Sequence, residues 1–136
     1  MKNRKPNIMA FITVCLFNLL ALAVPAQAEL AQGDKQFLTN YEKVRAALAA
    51  DDLASAKKAG TELGEPGAAL AKSDSLKTAR AEFGKLSDRA VTLAKDQSGY
   101  HVMHCPMLNK DWVQPSKEVS NPYGGKEMLT CGEVKS

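Results

Sequence analysis

Leu76, Ala79, Phe83, Leu86, Ala90 and Leu93 recur at spacings of three and four residues. Only an α-helix turns that period into one continuous apolar face. Ser73, Asp74 and Ser75 stand just before the run, with side-chain oxygens suited to capping its first turn. Gly99 follows it as a candidate C-cap. A similar face recurs upstream at Phe37, Tyr41, Val44 and Leu48, and that helix is expected to stop near Asp51-Asp52. Leu53, Ala56, Gly60 and Leu63 repeat the face more weakly until Glu65-Pro66-Gly67 breaks it. Residues 36–97 are dominated by Ala, Leu, Lys and Glu, all good helix formers. Gly84 costs its helix about 1 kcal/mol relative to Ala, which suggests a close helix contact at that point. Amphipathic helices bury their stripes against one another, so the expectation is an all-α fold: a small three- to four-helix bundle over residues 29–99.

After Gly99 the helical period disappears. Residues 100–136 contain Pro106, Pro115, Pro122, Gly124, Gly125 and Gly132, with a turn cluster at Asn121-Pro122-Tyr123-Gly124-Gly125. This reads as an irregular, turn-rich tail packed on the bundle, with room for a short strand at Tyr100–Met103. Trp112, Tyr100 and Tyr123 argue against disorder, and so long an irregular segment is usually functional.

The first 28 residues read as a secretory signal peptide. Lys2, Arg4 and Lys5 are followed by an apolar stretch from Ile8 to Val24, and Ala26-Gln27-Ala28 forms a small-x-small cleavage site after Pro25. A membrane anchor is the alternative, since the uncharged run from Pro6 to Ala28 is just long enough to span. With the leader removed, residues 29–136 form one domain with a periplasmic address and no membrane attachment. Charge follows the same division. The chain carries a formal +3, but setting aside Lys2, Arg4 and Lys5 from its 18 basic residues leaves 15 against 15 acidic ones. A neutral domain lacks the footprint of a nucleic-acid binder.

Beyond the leader, His101, His104, Cys105, Cys131, Met103, Met107 and Met128 all lie between residues 101 and 131. Methionine is an ordinary filler of helical cores, so its absence from the helices makes the clustering informative. Sulfur donors with imidazole select copper(I), and by the same softness silver(I). Calcium and magnesium want oxygen ligands that are not clustered here. Zinc ranks below copper, because the spacing of His101, His104, Cys105 and Cys131 matches no common zinc pattern and thioethers add nothing to such a site. His104, beside Cys105, is the better histidine candidate. The competing reading is a structural Cys105–Cys131 disulfide, worth roughly 3–4 kcal/mol by loop entropy in an oxidising compartment. No C-x-x-C pair, haem-attachment motif or nucleophile–base constellation is present, so an enzyme is not expected.

His104-Cys105-Pro106-Met107, Trp112, Asn121-Pro122-Tyr123-Gly124-Gly125-Lys126 and Met128-Leu129-Thr130-Cys131-Gly132-Glu133-Val134 together resemble a bacterial periplasmic domain family of unknown function. Its members occur alone or fused to copper/silver efflux adaptor proteins. Ala81-Glu82-Phe83-Gly84-Lys85-Leu86-Ser87 is similar to the helix before the tail in that family. The resemblance spans residues 36–134 and is strongest from 81 onward. It implies a helical domain linked to heavy-metal resistance, with Cys105, Met107, Met128 and Cys131 at the family's donor positions and an efflux adaptor as partner. The expected function is thus exported copper(I) or silver(I) binding, for sequestration or delivery to efflux. The candidate ligands are Cys105, Met107, Met128, Cys131, His104, Met103 and His101. The alternative is a non-metal interaction module stapled by Cys105–Cys131.

Overall fold

The computed structural model describes residues 28–135, so the expected leader lies outside the described residues except for Ala28. Helix α1 (Gln32–Ala49) buries Phe37, Leu38, Tyr41, Val44 and Leu48, the expected stripe with Leu38 added. It ends where Asp51 enters the left-handed region at φ 58°. Asp52 then caps α2 (Leu53–Glu62) by accepting the Ser55 N–H at 2.9 Å. The buried face of α2 is made of Ala56, Ala59 and Gly60, small residues that let it lie close to its neighbours. Pro66 sits in a 3₁₀ turn (Glu65–Gly67) that leads into the single-turn α3 (Ala68–Ala71), which contributes Leu70 to the core.

Ser75 caps α4 (Leu76–Ala94) through a reciprocal pair of hydrogen bonds with Thr78. Ala79, Phe83, Leu86 and Ala90 of α4 are buried as their spacing predicts. Two local expectations need correction. The helix stops at Ala94, and Gly99 (φ 88°) turns the chain beyond it rather than capping it. Gly84 makes no close helix contact, since a Cβ there would meet only the Tyr123 hydroxyl, 4.0 Å away.

The all-α expectation is overturned. His101–Cys105 forms β1 and Lys110–Gln114 forms β2, an antiparallel hairpin joined by a four-residue turn, and β3 (Glu133–Val134) pairs with the other edge of β1. Among the described residues the fold is therefore mixed, with four helices and a three-stranded antiparallel sheet in the order β2-β1-β3. Period-2 alternation over five residues is a weak local signal, and these strands carry polar residues on both faces. Their stability comes from pairing and from packing against α4.

Sheet and helices share one core, in which Met103, Cys105, Trp112 and Val113 join Phe37, Tyr41, Leu48 and Phe83. A chain of rings runs through it. Phe37 and Tyr41 have centroids 6.1 Å apart, Tyr41 and Phe83 4.8 Å, Phe83 and Tyr123 5.5 Å, and Tyr123 and Trp112 6.3 Å. Polar clasps fix residues 115–132 to the helices. Arg45 donates to the Ser120 carbonyl at 2.7 Å, and Arg80 donates to the Pro122 carbonyl at 2.8 Å and to Asp51 at 2.5 Å. The second Asp51 oxygen accepts the Lys126 N–H at 3.0 Å.

Candidate functional site

Cys105 is the last residue of β1, and the segment after it turns sharply through Pro106-Met107-Leu108-Asn109. Pro106 fits the start of such a turn because its φ is already set and no N–H is needed. Asn109 closes it at φ 50°, a conformation Asn tolerates better than most residues. This turn aims the backbone amides of Leu108 and Met107 at the Cys105 sulfur.

Cys131 arrives from the opposite direction, 26 residues later. Asn121 brings it there. Fully buried, Asn121 donates from Nδ2 to the Cys131 carbonyl at 2.9 Å, while its Oδ1 accepts the N–H groups of Tyr123 (2.9 Å) and Gly124 (3.1 Å). Its own N–H donates to the Leu129 carbonyl, and the Cys131 N–H donates to that of Met128. Gly132 then passes over Trp112, where a Cβ would lie 2.7 Å from the indole. The outcome is a Cys105 Sγ–Cys131 Sγ separation of 2.8 Å with both thiols free.

The two sulfurs are not equivalent. Cys105 is wholly buried, whereas Cys131 is partly exposed. Burial by itself pushes the Cys105 thiol up, but hydrogen bonds from Cys131, the Leu108 and Met107 amides and the Asn121 side chain outweigh it and bring it below the ordinary thiol value. Cys131 is raised, first by its hydrogen bond to Cys105, then by burial and by the neighbouring negative charge. The arrangement favours a thiolate at Cys105 with Cys131 donating to it.

Two methionines stand near this pair in the chain, Met107 two residues after Cys105 and Met128 three before Cys131. Met107 projects from the turn and is 77% exposed. Met128, one tight turn before Cys131, is half-buried at the end of a 3₁₀ turn (Gly125–Met128). The remaining candidates lie elsewhere. Met103 is fully buried opposite Trp112 and belongs to the core. His104 alternates with Cys105 along β1 and so points to the other face of the sheet. There its Nδ1 lies 2.6 Å from Asp111, which also pairs with Lys135. Burial pushes the Asp111 carboxyl up, but Lys135 and His104 outweigh it and hold it below its ordinary value. His101 is at the far end of the strand, paired with Gln114, about 13 Å along β1 from Cys105 at the usual strand rise.

The expected grouping of imidazole with sulfur is therefore not formed. Among the described residues, no group of three or more His, Cys, Asp or Glu side chains could hold a metal ion, which leaves the His101–His104–Cys105–Cys131 combination considered for zinc without a common centre. His104 instead lines a cleft of about 410 Å³ with Gly84, Lys85, Asp88, Asp111 and Tyr123.

Two residues that shape the site escaped sequence reasoning in this role. Asn121 was legible only as part of a turn, although Asn-Pro followed by Gly is a recognisable Asx-turn signal. Gln114 is buried, accepts the Trp112 indole N–H at 2.9 Å and donates to the Ser116 and Glu118 carbonyls, so it organises the loop before Asn121. Nothing in the local sequence marks it. Comparison with protein-family models, with curated proteins and with solved structures returned no match.

Proposed function

We propose that the protein is an exported, non-enzymatic binding protein for copper(I) or silver(I), in which Cys105 and Cys131 are the principal donors and Met107 and Met128 flank them. The single observation behind this reading is the meeting of the Cys105 and Cys131 sulfurs, 2.8 Å apart with both thiols free. Thiolate and thioether donors select soft monovalent ions over zinc, calcium or magnesium. Amide donors around Cys105 favour its thiolate, the form that ligates. With metal–sulfur bonds of about 2.3 Å, two sulfurs 2.8 Å apart would subtend a narrow angle at the ion, so binding parts them. Cys131 is the thiol that moves, because it lies on a loop while Cys105 ends the central strand. The tail's resemblance to a family associated with copper/silver efflux points to the same ions, and an efflux adaptor is the proposed recipient.

Titration of the reduced protein with copper(I) against a competing chelator tests the reading. Replacing Met107 and Met128 together with Ala should weaken affinity by about tenfold while leaving helical content intact. Met107 is so exposed that its loss should change stability by less than about 0.5 kcal/mol. Unchanged affinity in the double variant removes the thioethers from the site, and no uptake by the reduced parent protein defeats the proposal.

The same sulfur separation also favours a second reading, a non-metal interaction module closed by a Cys105–Cys131 disulfide. Intact mass with and without reductant, measured beside copper(I) uptake, separates the two. A bridged protein that takes up no copper(I) after reduction supports the module.

A further inference from the structure

We infer that Cys131 is a site of thiol–disulfide exchange and that closure of the Cys105–Cys131 bridge switches soft-metal binding off. The inference rests on the metal reading above and adds its regulation. Two observations and the proposed ligand set carry it. The sulfurs lie 2.8 Å apart, so little backbone movement is needed to join them. Only one of them is open to an external reagent, since Cys131 is partly exposed and Cys105 is wholly buried. The pair is also the centre of the proposed ligand set, so a bridge consumes both thiolates that the ion requires.

The order of steps follows from access. Cys131 passes its proton to the neighbouring Cys105 thiolate and, as the exposed partner, attacks one sulfur of a small or protein disulfide. The S–S bond of that reagent breaks, one of its halves leaves as a thiolate and takes up the proton that Cys131 has lost, and a mixed disulfide forms at Cys131. The Cys105 thiolate then attacks the Cys131 sulfur from inside, the mixed bond breaks, and the second half leaves and is protonated in turn. Two protein thiols have lost two electrons and two protons, and the reagent has been reduced to two thiols. Met107 and Met128 remain, but a pair of thioethers without thiolates is a weaker trap for the ion.

The test uses the purified protein, oxidised glutathione as the disulfide and copper(I) alone as the metal probe. After brief exposure to glutathione disulfide, peptide mapping should place the first mixed disulfide at Cys131. In single-cysteine variants, Cys131 in Cys105→Ser should gain glutathione on the order of tenfold faster than Cys105 in Cys131→Ser. Mapping on the parent protein keeps the result decisive if a variant misfolds. Full oxidation should lower copper(I) affinity by at least about tenfold, and reductant should restore it. Modification that begins at Cys105, or oxidised protein that binds copper(I) as tightly as reduced protein, overturns the inference while the metal reading stands. A reduced protein that takes up no copper(I) overturns the metal reading and the switch with it, even if glutathione maps to Cys131.

Discussion

Asn121 carries more of the site than either sulfur does. Its side chain serves three backbone groups at once, the Cys131 carbonyl and the Tyr123 and Gly124 amides, and it has no solvent contact. Replacing it with Ala leaves those groups buried and unpaired, at a cost of about 2–4 kcal/mol. The expected result is a lower urea midpoint with an unchanged denaturant slope. Slower bridge formation should accompany it, because Cys131 is no longer held against Cys105. If Asn121→Ala oxidises as fast as the parent protein, the residue does not position Cys131. At this scale the sequence disclosed which side chains are candidate donors, but not which of them meet. Met103, His104 and Cys105 are consecutive, yet one is in the core, one faces a cleft beside Asp111, and one ends a strand against Cys131. Strand alternation separated them.

Between elements, the turn that joins α1 to α2 also anchors the 3₁₀ turn before Cys131. Asp51 is held by a backbone N–H from Lys126 and by the Arg80 guanidinium, and these keep its carboxyl below the ordinary value of 3.8. A depressed carboxyl adds stability above its unfolded pKa and loses it as pH falls through the folded one. The stability difference between the parent protein and Asp51→Asn should therefore be constant above about pH 5 and shrink below 3.8. Asn accepts the same left-handed backbone, so urea unfolding of both proteins from pH 7 to 2.5 isolates the charge. A gap that does not change with pH would show that the clasp is not ionic. Gly125 belongs to the same junction. It sits at φ 58°, and a Cβ there would lie 2.0 Å from Asp51 Oδ1. Gly125→Ala should cost at least about 2 kcal/mol in chemical denaturation, from strain and a displaced ion pair together. A neutral substitution would mean that the junction is loose.

Across the described residues, the helices and the sheet should unfold as one cooperative unit, because the ring chain from Phe37 to Trp112 crosses from α1 to β2. Phe83 stands in its middle and is fully buried, so Phe83→Ala should cost about 3–5 kcal/mol. It should lower the helical signal and the Trp112 fluorescence transition at the same denaturant concentration. Separated transitions would show that the tail unfolds on its own. Oxidation tests the same unit from the other side. A bridge joining residues 26 apart should raise stability by about 3 kcal/mol on the loop-entropy account without changing helical content.

The helices were legible from sequence because their determinants are local. Period and caps act within a few residues, so the α1 stripe and the Ser75 cap are where their spacing puts them. Of the sheet, only a short strand at Tyr100–Met103, overlapping β1, was legible, because the sheet's hydrogen bonds join residues far apart in the chain, and Glu133–Val134 becomes a strand only by lying beside Met103 and His104. The sequence by itself determined that, beyond the expected leader, the soft-donor inventory is confined to residues 101–131. Only the tertiary structure decided that two of those donors meet, because a contact between Cys105 and Cys131 depends on polar anchors such as the buried Asn121 and the half-buried Arg80, which bind backbone atoms that no residue pattern reveals.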